Sequence, residues 1–285
     1  MSESIGYALG AMLLYGVADY VYKRGASAGA LPHHFLMVQT WFFSSSAILY
    51  GLLTGTLVFN AGGLWGAAAG VFVVIGYYNF AWSLKHGSVS TNATIFRLSF
   101  AVTVALAVLL LGEPLTTPKL VGLALVLVAV WLLLAAPVPS NGGWQHETRP
   151  ALLRVLIATV AVGIASFAYK LGLRDGSNPI TLVAAQGAVA VTLATALTAF
   201  IERGIRPSRA AWRHAPVAAV LLVFAFTFLA KGLESGEASV VVPVAQMGFV
   251  VTALLGFVFL REPFTLRKGA GLVAALAALA SLAQG

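Results

Sequence analysis

The chain has 285 residues, of which 60% are hydrophobic and 9% are charged, and its formal net charge is +8. Soluble domains carry about 25% charged residues, so a soluble chain of this composition would lack the polar side chains needed to cover its surface. The composition therefore excludes a soluble enzyme or nucleic-acid-binding domain, and the absence of cysteine excludes disulfides and thiol metal sites.

Ten apolar runs follow one another along the chain, each close to the roughly 20 helical residues needed to cross a bilayer. They are too long and too uniformly apolar to be the alternating strands of a membrane barrel. The sequence therefore predicts an all-α integral membrane protein. The ten predicted transmembrane helices are 4–23, 33–55, 63–85, 89–111, 117–136, 152–172, 179–201, 214–234, 238–260 and 266–284.

The second half of the sequence repeats the first, and a repeat of this length defines the architecture. Tyr22, Lys23 and Gln39 return at an offset of 147 as Tyr169, Lys170 and Gln186, and GEPLT at 112–116 returns at an offset of 149 as REPFT at 261–265. We predict an N-terminal five-helix repeat at 1–136, a linker loop at 137–150 and a C-terminal repeat at 151–285. Because five is odd, the second copy enters from the opposite face, so the repeats are inverted and a site is expected between them near the midplane.

Lysine and arginine are unevenly divided between the loops. The loop 202–214 contains four arginines, whereas its equivalent at 54–63 contains no basic residue. By the positive-inside rule the loops after odd-numbered helices are cytoplasmic, which would place both termini outside.

The EPLT-type motif after the fourth helix of each half, within ten helices forming two inverted repeats, resembles the drug/metabolite transporter superfamily, EamA-type. The resemblance covers essentially the whole chain. It implies secondary transport, often export, of small metabolites through a central cavity, in a bacterial inner membrane. It also implies cytoplasmic termini, opposite to the charge bias. Pro114 and Pro263 suit a helix break, and Thr116 or Thr117, with Thr265, can cap the helices that follow.

Arg97 lies roughly two turns into the fourth helix, where a charge is costly and usually faces a cavity or a partner. Ser90, Thr94 and Arg97 share one helix face, and the repeat equivalent of Arg97 is Gln246. A guanidinium here suits contact with a carboxylate or other anion. The alternative is a buried ion pair with no role in substrate binding.

Asp19 lies near the end of the first helix, with Tyr15 and Tyr22 on the same face, and its repeat equivalent is Ser166. Three interpretations are open: an ion pair with Arg97 or Lys23, a carboxylate that couples to protons or binds a cation, and an exposed charge at a helix end.

Other polar residues are assigned less specific roles. Lys23 and Lys170 are candidates for gating or coupling, although snorkelling from a helix end to the interface explains them as well. The equivalent Gln39 and Gln186 favour a structural hydrogen bond between helices. The histidines lie near predicted loops without metal-ligand spacing, and we expect them to be solvated and no metal to be bound: His33, His34, His86, His146 and His214.

These residues predict a secondary transporter that works by alternating access and exports amino-acid-like zwitterionic or carboxylate-bearing compounds, with protons as a candidate coupling ion. One alternative is a drug-efflux-type transporter of hydrophobic or aromatic cations that uses Asp19. Another is a non-transporting membrane assembly protein. The chain has no sequence motif of an enzyme, and we expect no cofactor and no nucleic-acid partner. The predicted substrate cavity is lined by Tyr15, Asp19, Tyr78, Asn79, Trp82, Thr94, Arg97 and Gln246.

Overall fold

A computed structural model describes residues 3–86, 89–134, 149–260 and 265–284, and every regular element in these ranges is helical. The helices are α1 (Glu3–Ser27), α2 (Pro32–Leu53), α3 (Gly63–His86), α4 (Val89–Arg97), α5 (Ser99–Leu111), α6 (Thr117–Leu134), α7 (Arg149–Arg174), α8 (Pro179–Glu202), α9 (Arg209–Ser235), α10 (Ala238–Gln246), α11 (Gly248–Leu260) and α12 (Leu266–Leu282).

The predicted all-helical membrane architecture of ten crossings in two inverted five-helix repeats is confirmed. Seven helical segments of the described ranges are each long and apolar enough to cross a membrane: α1, α2, α3, α7, α8, α9 and the segment Ala238–Phe259, which runs through α10 and α11. Shorter apolar stretches are Ile95–Leu111 and Thr117–Leu133. Most of the predicted linker lies outside the described residues, and α7 already begins at Arg149.

The fourth and ninth crossings, predicted at 89–111 and 238–260, are each interrupted at a single residue. The fourth crossing breaks at Leu98 into α4 and α5, and the ninth breaks at Met247 into α10 and α11. At both positions the backbone forms a turn that is tighter than an α-helical one, because the N–H bonds the carbonyl three residues back instead of four. Leu98 N–H donates to Ile95 O (3.0 Å), and Met247 N–H donates to Val244 O (3.1 Å). The two breaks are repeat equivalents, so the approximate two-fold axis relates one interrupted crossing to the other.

Helices of one repeat pack mainly on helices of the other. Helix α1 packs on α9 and its equivalent α7 packs on α3, while α2 pairs with α8 and α6 pairs with α12. An approximate two-fold axis therefore relates the α1–α9 contact to the α7–α3 contact, and it relates α2 to α8 and α6 to α12. Loops from the two halves also meet, since Asn60 Nδ2 donates to Gly176 O (2.8 Å) and Asn178 Nδ2 donates to Thr56 O (2.7 Å).

Two equivalent glycines allow α1 and α7 to approach the broken crossings closely. A Cβ atom on Gly16 would lie 2.5 Å from Gly248 O, and one on Gly163 would lie 2.7 Å from Ser99 O. Thr252 donates its hydroxyl to Gly16 O (3.0 Å). Thr103 donates in the same way to Gly163 O (2.9 Å). Small residues and threonine hydroxyls thus join each broken crossing to the first helix of the opposite repeat.

The GEPLT motif connects α5 to the start of α10 in the other repeat. Glu113 accepts the backbone N–H groups of Ala238 and Ser239, both at 2.8 Å, so its carboxylate satisfies donors at the first turn of α10. Lys119 is fully buried, donates to Pro114 O (2.9 Å) and forms an ion pair with Glu237. The motif therefore fixes the entry of α10.

The predicted threonine caps are confirmed. Thr116 accepts the N–H of Lys119 (3.4 Å), and Thr265 accepts the N–H of Lys268 (3.3 Å). Pro114 lies between α5 and α6, as expected for a helix break, whereas Pro263 lies outside the described residues.

We expect Glu113→Gln to lower the free energy of unfolding by about 2 kcal/mol, because an amide replaces one of the two oxygens that accept N–H groups at α10. Thermal unfolding of the purified protein measures the change. Glu234→Gln is the matched control, since Glu234 is exposed near the end of α9. Equal stability of the two variants would contradict the capping role of Glu113.

Candidate functional site

Asp19 of α1 and Arg97 of α4 form an ion pair through Asp19 Oδ2 and Arg97 Nη2. Arg97 is the last residue of α4, immediately before the break at Leu98. The two side chains keep 29% and 19% of their surface exposed, so the pair remains accessible. Of the interpretations open for Asp19, the ion pair with Arg97 is the one that the structure shows.

Three tyrosines lie in the electrostatic neighbourhood of Asp19. Tyr15, Tyr22 and Tyr77 lie close enough to Asp19 to interact with it electrostatically. The Tyr77 ring packs edge-on against Phe96, the residue before Arg97, with centroids 5.8 Å apart. Tyr77 was missed in the sequence, because nothing in the order of residues shows which face of α3 meets α4.

Three buried polar atoms of α1 and α2, in the N-terminal half, have no hydrogen-bond partner among the described residues. In the C-terminal half, Tyr169 donates its hydroxyl to Gln186 Oε1 (2.8 Å), which is the predicted structural bond. The equivalent atoms of Tyr22 and Gln39 are buried, and neither has a hydrogen-bond partner among the described residues. The Tyr15 hydroxyl is also buried and has no hydrogen-bond partner among the described residues. Buried polar groups are normally satisfied, so unpaired groups beside an accessible ion pair are candidates for contact with a ligand.

Three other predicted lining residues gather around Arg154 of α7. Arg154 Nη1 donates to Asn79 Oδ1 (3.0 Å), and its guanidinium lies 4.9 Å from the Trp82 ring centroid and 6.0 Å from that of Tyr78. Arg154 was missed, although the repeat carries a signal for it. The equivalents of Arg154 and Trp82 are Tyr7 and Lys231, which form their own cation–π contact at 5.5 Å.

The remaining candidates are more dispersed. Gln246 is half-buried at the end of α10, beside the second helix break, and the side chain of Thr94 lies outside the described residues. Lys170 Nζ donates to Leu233 O (2.7 Å) and Gly236 O (2.6 Å) at the end of α9. Lys23 is exposed near the end of α1.

His33 and His34 were expected to be solvated, and for His34 this is wrong, since it is 5% exposed. Their Nε2 atoms lie 2.7 and 2.6 Å from the two carboxylate oxygens of Glu202. Two imidazoles and a carboxylate have the composition of a metal site. However, His34 Nδ1 accepts the N–H of Ser208 (3.3 Å), so in the neutral ring Nε2 carries the proton and donates to Glu202. The cluster is therefore a hydrogen-bonded connection between α2 and α8.

We expect Asp19→Asn and Arg97→Gln to destabilise the protein by roughly 2 kcal/mol each, because either change leaves one charge unpaired. The double variant should lose less than the sum of the two. A double-mutant cycle from thermal or denaturant unfolding measures this coupling. Additive losses would show that the two side chains do not interact in the folded protein.

Comparison with known proteins agrees with this architecture. The model of the EamA-like transporter family matches residues 3–135 and 149–283, one match in each repeat. An uncharacterized protein of Methanocaldococcus jannaschii, MJ1333.1, is 28% identical over 123 residues, which are 43% of this chain and 88% of the archaeal protein. A solved crystal structure superposes with a TM-score of 0.82 at 18% identity, covering 99% of this chain and 96% of the other. Because the family model matches both halves, the chain belongs to the EamA-like transporter family.

Proposed function

We propose that the protein is a secondary active transporter that exports small amino-acid-like metabolites, which are zwitterionic or carry a carboxylate, by alternating access. The observation that carries the proposal is the accessible Asp19–Arg97 ion pair beside the break in the fourth crossing. Discontinuous helices near the midplane are where inverted-repeat transporters bind their substrates.

The charges of the pair select among substrate classes. A zwitterion can insert between the two side chains, giving its carboxylate to Arg97 and its ammonium to Asp19, so that no charge is left unpaired. A simple cation would displace Arg97 from Asp19 and leave the guanidinium without a counter-charge. A simple anion would bind Arg97 and leave the Asp19 carboxylate without a counter-charge. Unpaired charges away from water are strongly disfavoured.

The surrounding groups support the same substrate class. Tyr15 packs edge-on against Phe226 with centroids 5.5 Å apart, which fixes a rigid aromatic wall near the pair. The hydroxyls of Tyr15 and Tyr22 are buried and have no partner among the described residues, so a polar substrate that reaches them as the helices move would gain hydrogen bonds without breaking existing ones. Tyr78, Asn79 and Trp82 belong to the Arg154 cluster, so the proposed substrate contacts are Tyr15, Asp19, Arg97 and, beside the second break, Gln246.

Protons are the proposed coupling ion. A proton reaching Asp19 would neutralise its carboxylate and release Arg97, so protonation and substrate binding act on the same pair. Lys170, which binds the end of α9 ahead of α10, is a candidate for gating, and its equivalent Lys23 is a candidate on the opposite face.

Two alternatives predict different behaviour. A drug-efflux-type transporter would bind hydrophobic cations at Asp19 without needing Arg97. A non-transporting membrane assembly protein would show no substrate-dependent stabilisation. We place the chain in a bacterial inner membrane, with both termini outside if its own loop charges decide the orientation; cysteine labelling of the termini tests this.

The decisive experiment compares three compounds of one skeleton: leucine, its cationic methyl ester and its anionic N-acetyl derivative. We expect leucine to raise the apparent melting temperature of the purified protein by a few degrees, and the two single-charge compounds to require about tenfold higher concentrations. Vesicle efflux assays with the same compounds should give the same order.

Arg97→Gln should abolish the stabilisation by leucine, whereas Arg209→Gln, on the exposed start of α9, should keep it. Stabilisation by the methyl ester that survives Arg97→Gln would favour the cation-efflux alternative. No stabilisation and no efflux with a broad panel of zwitterions would remove the proposed substrate class.

For coupling, we expect Asp19→Asn to weaken substrate binding, because the substrate's ammonium loses its carboxylate partner. The exchange that remains at raised substrate concentration should no longer respond to an imposed pH gradient. Uptake and efflux at equal and unequal pH measure the two activities. If an imposed pH gradient still drives substrate accumulation in this variant, Asp19 is excluded as the proton site.

A further inference from the structure

The Arg154 cluster stands at the end of an apolar groove on the outer surface of the helices. The groove, of about 360 Å³, runs between α3 and α7 and is lined by Phe72, Ile75, Leu156, Ile157, Val160, Ala161 and Ile164. Ile75, Leu156, Ile157 and Val160 each expose 38–52% of their surface, so the groove faces the acyl chains of the bilayer.

Groove and cluster form one continuous surface. On α3, Phe72, Ile75 and Asn79 follow at spacings of three and four, and Asn79 Nδ2 donates to Ile75 O (2.8 Å). On α7, Arg154 lies three residues before Ile157 on the same face. A chain lying in the groove therefore ends at the guanidinium of Arg154.

Arg154 is held in place and has no carboxylate partner among the described residues. It lies between Asn79 and the Trp82 and Tyr78 rings, and none of the ion pairs formed by described residues involves it. It is five residues into α7, about 7.5 Å along the helix from Arg149, so we place it near the end of the crossing, where headgroups meet acyl chains. A planar guanidinium with free donors at this depth suits a phosphate group.

We propose that this surface is a binding site for an anionic phospholipid, with an acyl chain in the α3–α7 groove and the headgroup phosphate on Arg154. Charge complementarity selects an anionic lipid over a zwitterionic one. The proposal assigns Tyr78, Asn79 and Trp82 to lipid binding rather than to the substrate cavity. It does not depend on which substrate is transported.

The test uses the full-length protein, delipidated in detergent and titrated with phosphatidylglycerol or with phosphatidylcholine of the same acyl chains. We expect phosphatidylglycerol to raise the apparent melting temperature more, and Arg154→Gln to weaken its binding about fivefold or more, with Arg154→Lys intermediate. Arg206→Gln, an exposed loop arginine, is the matched control and should bind as the unmodified protein does. Equal effects of the two lipids, or an equal loss in Arg206→Gln, would overturn the proposal in favour of a diffuse surface charge.

A second variant separates the lipid from a free anion and leaves every charge unchanged. Val160→Phe fills the groove, so we expect it to weaken phosphatidylglycerol binding severalfold. Soluble glycerol phosphate lacks an acyl chain. We therefore expect that it does not displace phosphatidylglycerol when it is added at the concentration at which that lipid saturates the protein. Competition by glycerol phosphate, together with normal lipid binding in Val160→Phe, would show a phosphate site without a bound acyl chain and would overturn the proposal.

Discussion

The hydrocarbon core of a bilayer offers no water, so each polar group placed there needs a partner within the protein. In this protein the constraint is greatest at the fourth and ninth crossings, where helices stop and restart. Backbone bonds within each crossing satisfy the N–H groups of Leu98 and Met247 at the breaks themselves. The opposite repeat supplies further partners, since Glu113 satisfies the start of α10, and Thr103 and Thr252 bind carbonyl groups of the facing helices.

The two repeats use the same scaffold for different purposes. The C-terminal half pairs Tyr169 with Gln186 and has Ser166 and Gln246 where the N-terminal half has charges, so its polar groups mainly hold helices together. The N-terminal half keeps Asp19, Arg97 and unpaired hydroxyls beside them. Duplication therefore supplies a symmetrical frame, and divergence within it leaves the charged pair in one half.

The sequence was sufficient for the number of crossings, their inversion and the threonine caps, because each depends on local residues and on the repeat. It also contained both members of the Asp19–Arg97 pair. The break at Leu98 could not be predicted, since neither glycine nor proline lies beside it, although Pro243 and Gly248 flank the equivalent Met247. The Arg154 cluster could not be predicted either, because helix neighbours are set by packing across distant segments.

The pairing of α1 with α9 also bears on how the chain is made. About 200 residues separate these helices, so at synthesis rates of about 5–20 residues per second α1 waits roughly 10–40 s for its main packing partner. Asp19 waits a shorter time for Arg97, which follows 78 residues later. The N-terminal crossings must therefore persist in the membrane with incomplete contacts. A nascent chain of this kind depends on the insertion machinery, or on early neighbours such as lipids, until its second half arrives.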